Sequence, residues 1–293
     1  MITRRELTKG AASLLVVSGC MARGRPARAG LTLERALADI EVKIGGRLGV
    51  AVFDTGSGFR AGHRAGERFP LCSTFKLLAA AAILARVDAG KDRLDRRVAI
   101  APGDMVTYSP VTERHIGGSL SLAELCEAAI TQSDNTAGNL LLEALGGPEG
   151  LTAYARSLGD ETTRLDRVEP DLNEARPGDL RDTTTPVAMV GNFRALLVGN
   201  ALSAGSKEQL TAWLVGNQTG YARLRAGLPA AWRVGDKTGS GEHGTTNDVG
   251  AAWPPGGAPI LIAVYLTETE AEADARNAAL ADVARAVAAA MPG

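Results

Sequence analysis

Ser73 and Lys76 have the residue types and the spacing of a nucleophile with a neighbouring base. They open an alanine- and leucine-rich run that ends at Gly90 and predicts a buried helix. Ser73 would lie in its first turn, where free backbone N–H groups and the helix dipole favour developing negative charge. Lys76 falls on the same helix face, and its amine can take the serine proton only if burial keeps it neutral. Because Ser-x-x-Lys is common, an N-capping serine beside a solvated lysine is the alternative interpretation.

Three further motifs follow this pair along the chain. They are Ser133-Asp134-Asn135, Glu169-Pro170-Asp171-Leu172-Asn173 and Lys237-Thr238-Gly239. The ordered set is the signature of class A β-lactamases and penicillin-binding proteins, and on these motifs roughly residues 31–290 resemble a class A serine β-lactamase. The resemblance implies a hydrolase that opens the cyclic amide of β-lactam antibiotics, with penicillins and early cephalosporins as substrates, and that confers resistance to them.

The resemblance also implies a catalytic role for four residues. Ser73 would be the nucleophile, and Lys76 would relay its proton or tune the local field. Ser133 would protonate the leaving ring nitrogen. Glu169 would activate the water that hydrolyses the acyl-enzyme. Either Lys76 or Glu169 could be the base for acylation.

Seven more residues are implied to bind the substrate or the hydrolytic water: Asn135, Asn173, Lys237, Thr238, Ser240, Arg223 and Tyr108. Lys237 would supply positive charge, and the hydroxyls of Thr238 and Ser240 would bind the substrate carboxylate, since alternate strand residues point the same way. The backbone N–H groups of Ser73 and Ser240 would form the oxyanion hole. Arg223 is either a further carboxylate clamp or an ordinary surface arginine.

The remaining candidates border the same cleft in the implied arrangement. Asn135 would bond the side-chain amide of the substrate, and Asn173 would help to hold the water. Tyr108 would place its ring at the cleft edge, with an ordinary exposed turn as the alternative. Arg167 and Asp182 resemble the pair that ties the neck of the loop carrying the catalytic glutamate.

Composition limits the partners and cofactors. The 293-residue chain has a net charge of −1, and its first 29 residues carry a net +5, so a mature chain would be at −6. A mildly acidic protein of this kind argues against nucleic acid or an anionic membrane surface as a partner. The histidines His63, His115 and His243 share no ligand spacing with a cysteine, so we expect no catalytic zinc and no cofactor. We expect a monomer.

The N-terminus reads as an export signal over residues 1–29. A twin-arginine-like motif, Thr3 to Lys9, precedes an apolar run, Ala11 to Gly19, that is too short to span a bilayer. Cleavage after Ala29 would give a soluble periplasmic or secreted protein, which we expect. A lipobox ending at Cys20 is the alternative and would leave a lipid-anchored lipoprotein without a membrane span.

Periodicity predicts the elements that must position these residues. We expect helices over 31–44 and 271–290, a hairpin from about 48 to 64, a mostly helical middle, and strands over 231–239, 245–253 and 259–267. Ser121 and Glu124 form a capping box, and Asp134 and Thr185 each precede a helix.

These elements predict an α+β fold with two lobes in one catalytic domain, residues 30–293. An antiparallel sheet with packed helices forms the α/β lobe from both chain ends, about 31–69 and 216–293. An all-α lobe, about 70–215, is inserted between them. The active site would lie in the cleft between the lobes.

Two cysteines remain certain after export, Cys72 and Cys126. Some carbapenem-hydrolysing relatives pair a cysteine at the first position with one just after the Lys-Thr-Gly strand, where this chain has Gly241. We therefore expect Cys72 to be a buried thiol, Cys126 to pack as a small hydrophobe, and carbapenem turnover to be slow or absent.

Two other functions share part of the motif set. A penicillin-binding D,D-peptidase has the first, second and last motifs but needs no glutamate for a hydrolytic water. A β-lactam sensor domain acylates once and signals, and it usually carries a membrane span. Glu169 therefore separates a hydrolase from both alternatives.

Overall fold

The structure, a computed structural model, describes the backbone of residues 24–291 and the side chains of residues 30–291. The predicted export segment, with its arginine motif and both cleavage sites, lies outside the residues whose side chains are described. Within the described part of the chain, no helix combines the length and the apolar character needed to cross a membrane.

Residues 24–291 contain runs of strands and runs of helices. The strands are β1 (Arg47–Asp54), β2 (Arg60–His63), β3 (Phe69–Pro70), β4 (Arg97–Ala99), β5 (Ser119–Ser121), β6 (Thr183–Thr184), β7 (Arg233–Ser240), β8 (Thr246–Trp253) and β9 (Ile260–Thr267). The helices are α1 (Gly24–Ile44), α2 (Phe75–Asp88), α3 (Leu122–Thr131), α4 (Asn135–Leu145), α5 (Gly147–Ser157), α6 (Pro186–Phe193), α7 (Ala204–Val215), α8 (Leu224–Gly227) and α9 (Ala273–Ala290).

One antiparallel sheet draws its strands from both parts of the chain that flank the helical middle. Its order is β2-β1-β9-β8-β7, with β1 and β9 paired along their whole length. Two further strand pairs, β3 with β6 and β4 with β5, are short. The predicted α+β class with an antiparallel sheet is confirmed.

The sheet separates two apolar cores because successive strand residues point to opposite faces. Leu48, Val50 and Val52 of β1 pack with α1, α8 and α9 on one face. Ala51 and Phe53 face the other core, which includes α2 and the helices of the middle segment.

The helix α2 lies at the centre of the larger core. Ten consecutive residues, Phe75 to Leu84, are buried, and four of them in succession are alanines. Small side chains allow α3, α4, α5 and α7 to approach α2 closely. The predicted buried helix is confirmed, and its N-terminal end is fixed within the interior of the protein.

The predicted element boundaries hold within two residues for the last three strands and for α9. The prediction for α1 was too short, because the helix begins at Gly24 and not at residue 31. Pro26 falls within its first turn, where the missing N–H removes no hydrogen bond. The predicted caps are present: Ser121 and Glu124 bond reciprocally, and Thr185 accepts from the Ala188 N–H.

Candidate active site

Ser73 lies in a 3₁₀ turn, Cys72–Thr74, immediately before α2. We expected it in the first α-helical turn. The turn is tighter because the N–H and the hydroxyl of Thr74 both donate to the Leu71 carbonyl, at 3.2 and 2.7 Å. Ser73 is buried but borders a cavity, so its hydroxyl is accessible to a ligand through that cavity.

The Lys76 amine is surrounded by oxygens and fully buried. Nζ lies 2.9 Å from Ser73 Oγ, 2.8 Å from the Ser133 carbonyl and 2.6 Å from Asn135 Oδ1. A fourth oxygen, Glu169 Oε1, is 2.9 Å away. Burial lowers the pKa of Lys76, although the Glu169 carboxylate opposes this shift. The solvated-lysine interpretation is therefore wrong.

Glu169 is the second buried ionisable group beside the serine. Ser73 Oγ donates to Glu169 Oε1 at 3.1 Å, and Asn173 Nδ2 donates to Oε2. The amide oxygen of Asn173 is buried and has no partner. Asn139 fixes the backbone, since its side chain accepts from the Glu169 N–H and donates to the Glu169 carbonyl, both at 2.9 Å.

The loop that carries Glu169, residues 164–182, is tied at its neck. Arg167 Nε donates to Asp182 Oδ2 at 2.6 Å, and Asp182 Oδ1 accepts from the N–H groups of Asp166 and Arg167. The predicted Arg167–Asp182 pair is therefore present. The Leu71 N–H donates to the Asp182 carbonyl at 2.8 Å, which joins the loop directly to the segment leading to Ser73.

Ser133 lies in the junction between α3 and α4, with a φ of 58°. Its hydroxyl accepts from Lys237 Nζ at 2.9 Å, and Lys237 also donates to the Thr238 carbonyl at 2.8 Å. Burial, followed by the positive charge of Lys76, holds the pKa of Lys237 well below its usual value. The Ser133 hydroxyl therefore lies next to an amine whose surroundings disfavour its protonated form.

The end of β7 is held by Arg223. Its Nη1 donates to the carbonyls of Gly239 and Asn247 at 2.8 and 2.7 Å, and its Nη2 donates to Ser240 Oγ at 2.8 Å. Nε donates to Asn277 at 2.9 Å. These bonds contradict the surface-arginine alternative, because the guanidinium is packed against the strand that borders the cavity.

A cavity of about 550 Å³ brings most of the candidates together. It is lined by Ser73, Tyr108, Ser133, Asn135, Asn173, Gln218, Thr219, Arg223, Thr238, Gly239 and Ser240. The side chains of Lys76, Glu169 and Lys237 are buried behind this lining. Tyr108 is 61% exposed at the rim, as the cleft-edge interpretation requires. A second compartment shares Asn135 and Asn173 with the first and extends along the Glu169 loop.

Both cysteines whose side chains are described are buried free thiols, and burial raises the pKa of each. The expectation for Cys72 and Cys126 is confirmed. A Cβ atom at Gly241 would lie 2.7 Å from Cys72 Sγ, so that position does face the thiol. Over the described ranges, no group of three or more histidine, cysteine or acidic residues could hold a metal ion.

Sequence reasoning missed three residues that shape the site. Gly138 faces Lys76, and a Cβ there would lie 2.8 Å from Lys76 Cε. Asn139 holds Glu169, and its spacing of four from Asn135 on one helix was a signal that could have been used. Asn247 binds the segment before Ser73 through a contact between distant strands, for which the sequence offers no pattern.

Comparison with known proteins agrees with this geometry. The family model for the β-lactamase enzyme family matches residues 32–291. Beta-lactamase AST-1 of Nocardia asteroides is 55% identical over 85% of this chain and 81% of its own length. Beta-lactamase CTX-M-8 of Citrobacter amalonaticus is 50% identical over 87% of this chain and 88% of its own length. The solved structure of an ancestral (GNCA) class A β-lactamase is 64% identical, with a TM-score of 0.87 over 88% of this chain and all of its own. The chain belongs to the β-lactamase enzyme family, and within it to class A.

Proposed function

We propose that the protein hydrolyses β-lactam antibiotics through an acyl-enzyme on Ser73 and thereby confers resistance to them. The observation that carries this proposal is the buried triangle of Ser73, Lys76 and Glu169, in which both candidate bases lie within 3.1 Å of the serine hydroxyl. The relatives, which are named β-lactamases, support the substrate class.

Acylation begins with attack of Ser73 Oγ on the lactam carbonyl. The hydroxyl proton can leave to Glu169 directly or through Lys76, because both contact the same oxygen. The oxyanion is held by the backbone N–H groups of Ser73 and Ser240, two residues that line the cavity.

Ring opening requires a proton on the lactam nitrogen. Ser133 delivers it, since its hydroxyl borders the cavity and contacts Lys237, whose lowered pKa favours proton transfer to the serine. The substrate carboxylate binds to the hydroxyls of Thr238 and Ser240, with positive charge from Lys237 and Arg223. Asn135 and Tyr108 contact the rest of the substrate.

Deacylation separates this function from a penicillin-binding protein or a sensor. Glu169 is the general base for water, and the partnerless Oδ1 of Asn173 is an acceptor that can orient that water beside it. A domain that is acylated only once has no use for this pair. No step draws on a metal ion or an organic cofactor.

Nitrocefin distinguishes the candidate functions. Purified protein in the presence of a chelator should turn over many equivalents, and the Ser73→Ala variant should turn over none. A single stoichiometric burst from the wild type would favour the D,D-peptidase or the sensor. Activity that is lost with the chelator and restored by zinc would contradict the serine mechanism.

The N-terminal sequence indicates where the protein acts. We infer export through the twin-arginine-like signal and removal of residues 1–29. The product would be a soluble periplasmic or secreted monomer, residues 30–293. Its α/β lobe would comprise about 31–69 and 216–293, and its all-α lobe about 70–215. A lipoprotein anchored at Cys20 is the alternative. The intact mass of the exported protein decides between a start at Gly30 and a lipidated Cys20.

A further inference from the structure

Four residues lie at the same level of neighbouring strands and form a row across the sheet. They are Gly49 on β1, Tyr265 on β9, Asn247 on β8 and Gly239 on β7. Directly paired residues of antiparallel strands share one face of the sheet. The segment leading to the nucleophile, residues 69–74, lies across this face.

Both ends of the row are glycines at points where the segment approaches the sheet. A Cβ at Gly49 would overlap the Phe69 ring, and a Cβ at Gly239 would lie 3.0 Å from the Leu71 carbonyl oxygen. Between them the Tyr265 ring stacks on the Phe69 ring at 6.1 Å. The row therefore forms the surface on which the nucleophile-bearing turn rests.

Asn247 supplies the two shorter polar contacts of this row, and Tyr265 supplies a longer one, from its hydroxyl to Thr74 Oγ1 at 3.4 Å. Asn247 Nδ2 donates to the carbonyls of Pro70 and Leu71, at 2.9 and 3.2 Å, and the residue is fully buried. Leu71 is two residues before Ser73, and the β7 partner of Asn247 is one residue before Ser240. The side chain thus joins the two elements that carry the oxyanion donors.

Among the hydrogen bonds of the described residues, those of the Asn247 side chain join the segment 69–74 to the β7–β8 pair, whereas Thr74 joins it to Tyr265 of β9. Arg223 ties the Asn247 and Gly239 carbonyls together within the strand pair. The Leu71 N–H is bound to Asp182 of the Glu169 loop. The β7–β8 pair is therefore held by Arg223 and the segment 69–74 by Asp182, and the Asn247 amide spans the gap between the pair and the segment.

The amide oxygen of Asn247 argues against a role in stability alone. Oδ1 is buried and has no partner. An unpaired buried polar atom costs on the order of 1–3 kcal/mol, so an apolar residue of the same size would relieve this cost. The two donated hydrogen bonds are what an apolar residue cannot supply.

We propose that Asn247 is a positioning residue that sets the distance between the Ser73 and Ser240 N–H groups of the oxyanion hole. The inference rests on the proposed function, because it needs an oxyanion at that place. Donors of this kind act within a narrow range of distance to the oxygen. Loss of the bridge should therefore weaken binding of the tetrahedral state and leave the ground state less affected.

The test compares Asn247→Leu with a matched control, Asn192→Leu. Asn192 is also buried, donates one hydrogen bond to Asp160 at 2.7 Å and has an unpartnered Oδ1, but it lies in α6 outside the cavity lining. The probe is phenylboronic acid. Ser73 Oγ forms a bond to boron and gives its proton to the neighbouring base, and the boron becomes a tetrahedral anion with an oxygen in the oxyanion hole.

In Asn247→Leu, the affinity for the boronate and the rate of acylation by nitrocefin should each fall about 10- to 100-fold relative to the wild type. The change in KM should be smaller. Asn192→Leu should match the wild type in boronate affinity and in acylation rate, whatever its melting temperature. If Asn247→Leu does not fold, Asn247→Ser, whose hydroxyl is too short to reach both carbonyls, should show the same loss. Wild-type boronate affinity and acylation rate in a folded Asn247 variant would overturn the proposal. A wild type that neither binds boronate nor acylates would instead refute the proposed function.

Discussion

Lys76 Nζ lies 2.9 Å from Glu169 Oε1, and neither side chain is exposed to solvent. Because Ser73 Oγ contacts both groups, the serine proton, the amine and the carboxylate form one coupled system. Removing one member of a buried ion pair leaves the other uncompensated. A substitution at Lys76 or Glu169 therefore changes the electrostatic environment of its partner as well as its own role.

Gly138→Ala should slow acylation, although alanine is the better helix former. Helix propensity alone favours alanine by about 1 kcal/mol. The new Cβ would lie 2.8 Å from Lys76 Cε, and the lysine is fixed by oxygens around its amine. We expect a loss of about tenfold or more in the acylation rate, measured by stopped flow.

The control for this substitution is Gly191→Ala. Gly191 lies in α6, and nothing stands within 4 Å of a Cβ there. This variant should be more stable by up to about 1 kcal/mol, with unchanged kinetics. Equal acylation rates in both variants would mean that Gly138 does not set the position of Lys76.

Arg223→Ala should raise KM for substrates that carry a carboxylate more than it lowers kcat. Charge-assisted hydrogen bonds contribute about 1.5–3 kcal/mol, which is roughly 10- to 100-fold in KM. The kcat also falls, because the guanidinium braces Gly239 and Ser240. Steady-state kinetics with benzylpenicillin and with an ester that lacks the carboxylate measure the two effects. An unchanged KM for benzylpenicillin would remove Arg223 from the binding site.

Imipenem should be hydrolysed slowly or not at all. Cys72 is a free thiol, and the position that faces it is Gly241, so no cross-link ties the nucleophile turn to the end of β7. Steady-state assays with imipenem and benzylpenicillin side by side test this. Efficient imipenem turnover would show that such a cross-link is not required in this chain.

Glu41→Gln should lower stability at neutral pH and have little effect near pH 2. Burial alone would raise the pKa of Glu41, but hydrogen bonds from Arg64 and the Leu48 N–H outweigh it and lower the pKa from 4.5 to about 2. A carboxylate with a lowered pKa in the folded state adds to the free energy of unfolding above pH 4.5, and this contribution is lost as the pH falls towards 2. The contribution is at most about 3 kcal/mol. Urea unfolding of both proteins at pH 7 and at pH 2.5 should show a smaller difference in unfolding free energy at the lower pH. An equal difference at both pH values would contradict the assignment.

The fold and the site differ in how far the sequence predicts them. Helix α2 and the strands β7, β8 and β9 were predictable because each has a local pattern of apolar spacing, caps and turns. The closeness of Ser73 to Glu169 came only from the motif resemblance, since 96 residues separate them. The contacts of Asn247 depend on the register of neighbouring strands, which no local pattern specifies. Arg223 could not be placed for the same reason, because its acceptors are backbone carbonyls of β7 and β8.

Intact mass spectrometry of the Glu169→Ala variant with benzylpenicillin tests the central claim most directly. The variant keeps Ser73, Lys76 and the oxyanion donors, so the ester can form, but it lacks the base for water. A positioned general base contributes about 10²–10⁴ in rate, or roughly 3–5 kcal/mol on the deacylation barrier. Glu169→Gln, which preserves the size of the side chain, and Ser73→Ala are the controls.

Both Glu169 variants should carry a long-lived penicilloyl adduct on Ser73, and the Ser73→Ala protein should carry none. An unmodified Glu169→Ala protein that turns over benzylpenicillin at the wild-type rate would contradict the assigned water site. An unmodified protein without turnover would show that Glu169 is required for acylation, and the division of roles between Lys76 and Glu169 would be wrong.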